Sequence, residues 1–120
     1  MITSRYYTEQ DFQSAVPKCS LQDMQQSTID KLDALADIRG KKERFTSAFR
    51  TKAHDQSKGR SGNGSHPQGH GVDCHCENIS YRNDLERDAR SVGFNRIGKA
   101  NTFLHVDDSP TLPQNVTWNY

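Results

Sequence analysis

Metal-ligand side chains gather in two places along this chain. One is the run His66–Pro67–Gln68–Gly69–His70–Gly71–Val72–Asp73, continued by Cys74–His75–Cys76; the other is His105–Val106–Asp107–Asp108. A catalytic zinc takes three protein ligands and keeps a fourth position open. Six residues separate His66 from Asp73, two of them glycine, so the backbone can turn from a loop into a strand and aim both side chains at one point. His105, arriving from a neighbouring strand, supplies the third ligand. Two imidazoles and one carboxylate leave the ion a net positive charge, which acidifies water and polarises a carbonyl. On spacing alone, His66 reads equally well as a solvated loop histidine.

Other clusters have plainer readings. Cys74 and Cys76 with Cys19 suggest a structural zinc site by residue type. A C-x-C strand, however, puts both sulfurs on one face and His75 on the other, a poor start for a tetrahedral ion. Cys74 and Cys76 read better as small buried hydrophobes. His75 shares a face with Asp73 and reads as a hydrogen-bonded structural histidine, with cleft lining as the alternative. Arg50 by itself reads as a surface arginine in an ion pair. Lys41, Lys42 and Arg44 form a solvated turn between helix and strand, whereas Lys58 and Arg60 are placed to touch an anionic glycan or a peptide carboxylate. Trp118 and Tyr120 read as a clasp on the core ahead of a stacking platform.

Composition bounds what can position these groups. The 120 residues suit one domain and are too few for two separate cores. Leu, Ile, Val and Phe number only 21, a disorder-like share, but the net charge of +1 lacks the repulsion that disorder also needs. A thin-cored domain stabilised by a metal fits better. Sixteen basic against fifteen acidic side chains give no general reason to bind nucleic acid, so a metal-dependent nuclease is disfavoured. There is no apolar run long enough to span a membrane, and MITSRYYTEQDF carries no secretory apolar core. Three cysteines suit synthesis in a reducing compartment.

Patterning predicts an α+β fold with a small, mainly antiparallel sheet and helices on one side. YYTEQDF reads as a helical turn capped by Thr8. A helix is predicted over about 21–38, with Ser20 and Asp23 at capping-box spacing and Gly40 at its end. Phe45, Ser47 and Phe49 alternate as a strand. Residues 55–71, rich in glycine, read as a flexible linker. GVDCHC alternates as a strand, and Ser80 caps a second helix whose stripe is Leu85, Ala89 and Val92. FNRIG and TFLHVD read as two strands joined at 99–101, followed by a tail in which Trp118 packs back on the sheet.

Three blocks carry a resemblance. Ser65 to Asp73 resembles the first zinc-binding signature of the LAS metallopeptidases, the group that holds zinc D-Ala-D-Ala carboxypeptidases, phage endolysin peptidases and the hedgehog fold, with Gly71 in place of a small alanine. Ser47–Ala48–Phe49–Arg50 is similar to that group's S-G-Y-R segment, and Phe103–Leu104–His105–Val106–Asp107 to its F-[IV]-H-V-D block. The blocks stand in family order and span about 20–108. The resemblance implies a single peptidase domain over 1–120 with zinc held by His66, Asp73 and His105. It makes Arg50 the arginine that orients substrate or stabilises an oxyanion, and Ser65 a substrate contact. The reaction implied is hydrolysis of an amide in a peptidoglycan stem peptide, D-Ala-D-Ala or L-Ala-D-Glu, by metal-activated water. The expected setting is a phage or prophage protein, monomeric, made in the cytoplasm and acting at the wall or periplasm.

One departure concerns the general base. Relatives place a carboxylate three residues before the last ligand or a histidine two before it; here Thr102 and Phe103 stand there. Asp107 is the first choice, because at i+2 it shares a strand face with His105. Its alternative is to orient that histidine. Asp108, His75 and His70 follow. Without a base, the rival reading is an inactive, zinc-stabilised wall-binding module of the same fold.

Overall fold

A computed structural model describes residues 1–120. Five helices and five strands follow in the order α1 (Glu9–Gln13), α2 (Gln26–Arg39), β1 (Phe45–Ser47), α3 (Lys52–Ser57), α4 (Ser65–Gln68), β2 (Gly71–His75), α5 (Ile79–Ser91), β3 (Arg96–Lys99), β4 (Phe103–Asp107) and β5 (Val116–Asn119). The strands form one sheet ordered β1-β2-β4-β3-β5, antiparallel throughout except for the parallel pair β3–β5. The fold is α+β, as the patterning predicts.

Alternation along the strands divides the chemistry from the core. Val72, Cys74, Ile97, Leu104 and Val106 are buried in one cluster with Ile29, Leu32 and Leu35 of α2 and Leu85 and Ala89 of α5. Asp73, His105 and Asp107 point the other way. All three cysteines are buried and free, and none joins a group of ligand atoms close enough to share a metal ion.

Several elements differ from expectation for local reasons. The helix predicted from residue 21 is broken in two: Ser20 caps a 3-10 turn over Leu21–Asp23, Met24 is extended, and α2 begins after Gln25. The break frees Gln25 N–H to donate to the Gly69 carbonyl at 3.0 Å. That bond tethers the start of α2 to the glycine-rich segment. The segment itself is not a linker, since it contains the end of α3 and all of α4. Strand β1 stops at Ser47, short of Phe49. Asn78, not Ser80, caps α5, its side chain accepting from Tyr81 N–H at 2.8 Å. The tail forms β5 instead of merely leaning on the sheet.

Asp108, just beyond β4, ties the sheet to α2. Its carboxylate accepts from Ser27 Oγ at 2.8 Å, from Lys31 Nζ at 2.9 Å and from the Thr28 hydroxyl, and it meets His70 Nδ1 at 2.9 Å. Burial opposes its ionisation, but hydrogen bonds from Thr28, Lys31, Ser27 and His70 prevail and hold the carboxyl below its ordinary value. A depressed folded pKa contributes stability above the unfolded value of about 3.9 and loses it as pH falls through the folded one. Asp108→Asn is therefore expected to destabilise the protein at neutral pH by about 1–3 kcal/mol in denaturant titration. The gap from the wild type should narrow as pH drops below about 4.

Candidate metal centre and cleft

His66 sits on α4, a single turn entered at Gly64 and left through Gly69 at φ 77°. Its Nδ1 lies 2.6 Å from the Ala48 carbonyl, so Nδ1–H donates there and Nε2 faces inward, 3.4 Å from Asp73 Oδ1. His105 on β4 is paired directly with Asp73 on β2, and its Nδ1 lies 2.9 Å from the same Asp73 oxygen. All three residues are buried, and their candidate ligand atoms lie within 4.8 Å of one another. Ligand atoms of a tetrahedral zinc stand about 3.3 Å apart, given bonds near 2.0–2.1 Å. The separations and the N2O donor set therefore fit a zinc ion.

Behind His105 the second ring nitrogen is fully used. Nε2 lies 2.6 Å from Asp107 Oδ2 and 3.2 Å from Ser65 Oγ. The other Asp107 oxygen accepts from Arg96 Nε at 2.8 Å and from Ser109 N–H at 3.1 Å. Asp107 is 0 % exposed. This chain of bonds fixes Nε2–H on Asp107 and turns Nδ1 toward Asp73, the arrangement by which carboxylates aim a metal-binding histidine.

These contacts shift the ionisation of the cluster. Burial would neutralise Asp73, yet hydrogen bonds from His105 and His66 outweigh it and hold the carboxyl far below the usual range. Burial favours neutral His105, but Asp107 and Asp73 prevail and raise its pKa. Asp107 is lowered as its own burial is outweighed by the bond to His105.

In front of the cluster lies a cavity of about 360 Å³ whose wall includes Arg50, Asp55, Ser65, His66, Arg96 and Trp118. Arg50 is braced by Asp55 Oδ1 at 3.2 Å from Nε and by Ser47 Oγ at 3.0 Å from Nη1. Gly71, which stands for the small alanine of the signature it resembles, has no room for a side chain: a Cβ there would come within 2.5 Å of Ser65 Oγ and 3.0 Å of His105 Cε1. The glycine thus lets Ser65 reach His105. Asp108 and His70 belong to the α2 network, and His75 lies in a separate hollow with Lys41 and Arg44. None of the three lines the cavity.

Sequence reasoning overlooked two braces, Asp55 and Arg96. The faint signal for Arg96 is its place near the start of FNRIG, which antiparallel pairing sets opposite Asp107. Trp118 does pack back on the sheet, its ring centroid 5.4 Å from that of His105 and 5.4 Å from the Arg96 guanidinium.

Purified protein is expected to take up one zinc per chain, and His66→Ala to lose it, as read by metal analysis. Because zinc must displace a proton from His105, whose pKa is raised, the apparent affinity should climb as pH rises through and above the ordinary imidazole range of about 6.5 in chelator competition. Saturating zinc at about 100 times its Kd should stabilise the wild type by about 2.7 kcal/mol and leave His66→Ala unmoved.

The family model described as Peptidase M15 matches residues 3–107, nearly the whole chain and every proposed ligand. No curated protein matches the chain. The match ends before β5, so Trp118 and Tyr120 lie beyond it. With the His66–Asp73–His105 group fitting the zinc site that such peptidases share, the chain belongs to the peptidase M15 family of zinc peptidases.

Proposed function

We propose that this chain hydrolyses an amide bond in the stem peptide of peptidoglycan, with zinc held by His66, Asp73 and His105. The observation that carries the reading is the convergence of those three donors, two of which, His66 and His105, line a cleft that a braced arginine also enters. Bound zinc supplies Lewis acidity, polarising a carbonyl and acidifying water. The protein's own groups do the rest. Arg50, a permanently charged fork fixed by Asp55 and Ser47, is positioned to stabilise negative charge growing on the carbonyl oxygen. Ser65 offers a hydroxyl at the cleft wall. Asp107, with both oxygens engaged behind His105, holds that ring in its ligating orientation; this is the better supported of its two readings. We place the protein's action at the bacterial wall or periplasm, as a monomer of phage or prophage origin.

A second reading has one specific observation in its favour. Asp55 is the only carboxylate in the cavity wall, and its oxygens are taken by Arg50 and by Gly62 N–H. With Thr102 in the usual position of the base, a zinc-stabilised wall-binding module without turnover accounts for that lack.

Digestion of purified peptidoglycan by the zinc-loaded protein, followed by release of D-alanine or new amino groups, separates the two. Release is expected; co-sedimentation with intact wall and no release would establish the binding module. Arg50→Met should lower kcat about 100-fold or more while zinc content stays at one per chain. Asp107→Asn should weaken zinc affinity about 10–100-fold in chelator competition.

A further inference from the structure

Three guanidiniums reach the cleft, and two already have partners. Arg50 is bound to Asp55 and Ser47; Arg96 is bound to Asp107 and, through Nη1 at 2.6 Å, to the Pro113 carbonyl. Arg60 lines the same cavity, yet its side chain makes no hydrogen bond or ion pair within the chain. The cavity wall's one carboxylate, Asp55, is neutralised by Arg50, so Arg60 leaves the cleft with an uncompensated positive charge.

The loop presenting Arg60 is tied down. Arg60 N–H donates to the Asp55 carbonyl at 3.2 Å, and Gly62 N–H donates to Asp55 Oδ2 at 3.2 Å. Gly62 takes φ 83°, open to glycine, and a Cβ there would lie 2.6 Å from Lys52 Cγ, so the loop is pressed against α3. One carboxylate, Asp55, therefore fixes both Arg50 and the segment bearing Arg60. A planar cationic fork pairs with a carboxylate through two parallel hydrogen bonds.

We infer that Arg60 is a specificity-determining residue that binds a free carboxylate of the substrate beside the amide that is cut. The inference rests on the peptidase reading above. A stem peptide offers that group from two sources, the C-terminus of its last D-alanine and the α-carboxylate of its γ-linked D-glutamate. Both present the same chemistry to Arg60, and blocking each in turn tells them apart.

The test uses the zinc-loaded full chain and three synthetic stem pentapeptides: unmodified, amidated at the C-terminus, and amidated at the glutamate α-carboxyl. One amidated peptide is expected to show a KM about 10–100-fold above the unmodified one, with kcat little changed, as for loss of binding common to ground and transition states. Arg60→Gln should raise KM for the unmodified peptide by the same factor and add nothing on that amidated peptide. Arg60→Lys should recover part of the loss. Zinc content should be unaffected in both variants, since Arg60 is exposed and touches no ligand. A penalty at the C-terminus assigns a carboxypeptidase, and one at glutamate an endopeptidase. Equal KM for all three peptides, or Arg60→Gln matching the wild type on the unmodified peptide, would overturn the role of Arg60 and leave the peptidase reading standing. Failure of the wild type to cut any of them would overturn the peptidase reading, and Arg60's role with it.

Discussion

Asp73 on β2 and His105 on β4 face each other across an antiparallel pair, and the same pairing sets Val72 against Val106 and Cys74 against Leu104 on the opposite face. The two functions of the pair cannot be separated. A slip of one residue would turn every side chain of a strand over, sending Asp73 or His105 into the apolar layer under α2 and α5. Burying an unpaired charge there costs several kcal/mol. The hydrophobic core thus enforces the alignment of the candidate metal ligands, and one of its members, Ala48, also accepts a hydrogen bond from His66 Nδ1.

The centre is dense in charge, and the protein compensates it group by group. Asp73 meets both histidines, Asp107 meets His105 and Arg96, and Asp55 meets Arg50 and a backbone amide. Each side chain is held from two directions, so little reorganisation is left for the moment of binding or reaction. Preorganised dipoles and charges of this kind are worth most where water is excluded. In such a small, thin-cored protein, the polar layer behind the ligands is as much a part of the fold as the apolar layer beneath the sheet.

Much of this was legible in the residues. Alternation in GVDCHC and TFLHVD places Asp73 and His105 on strand faces, and the glycines around His66 allow the turn that delivers it. What alternation does not reveal is which strand lies beside which. That Arg96 stands opposite Asp107 depends on the β3–β4 register, and the choice between a base and a brace for Asp107 turns on that neighbour. The segment 55–71 misleads for a related reason. Its glycines lower local helix propensity, but α3 and α4 are only six and four residues long, and tertiary bonds hold the segment in place: Gly62 N–H to Asp55, and the Gly69 carbonyl to Gln25. Short elements owe their form to such contacts more than to composition. The tail hid β5 because its parallel pairing with β3 requires the chain to cross over from β4, a relation no local pattern encodes.

Gly98 has a consequence at the level of light. A Cβ there would fall 2.6 Å from Trp118 Nε1, so the missing side chain is what seats the indole flat on the sheet beside His105. It is the chain's only tryptophan. Long-wavelength emission excited in this protein therefore arises from one ring beside His105, a candidate metal ligand. The fold has built an optical probe of its own centre into β5.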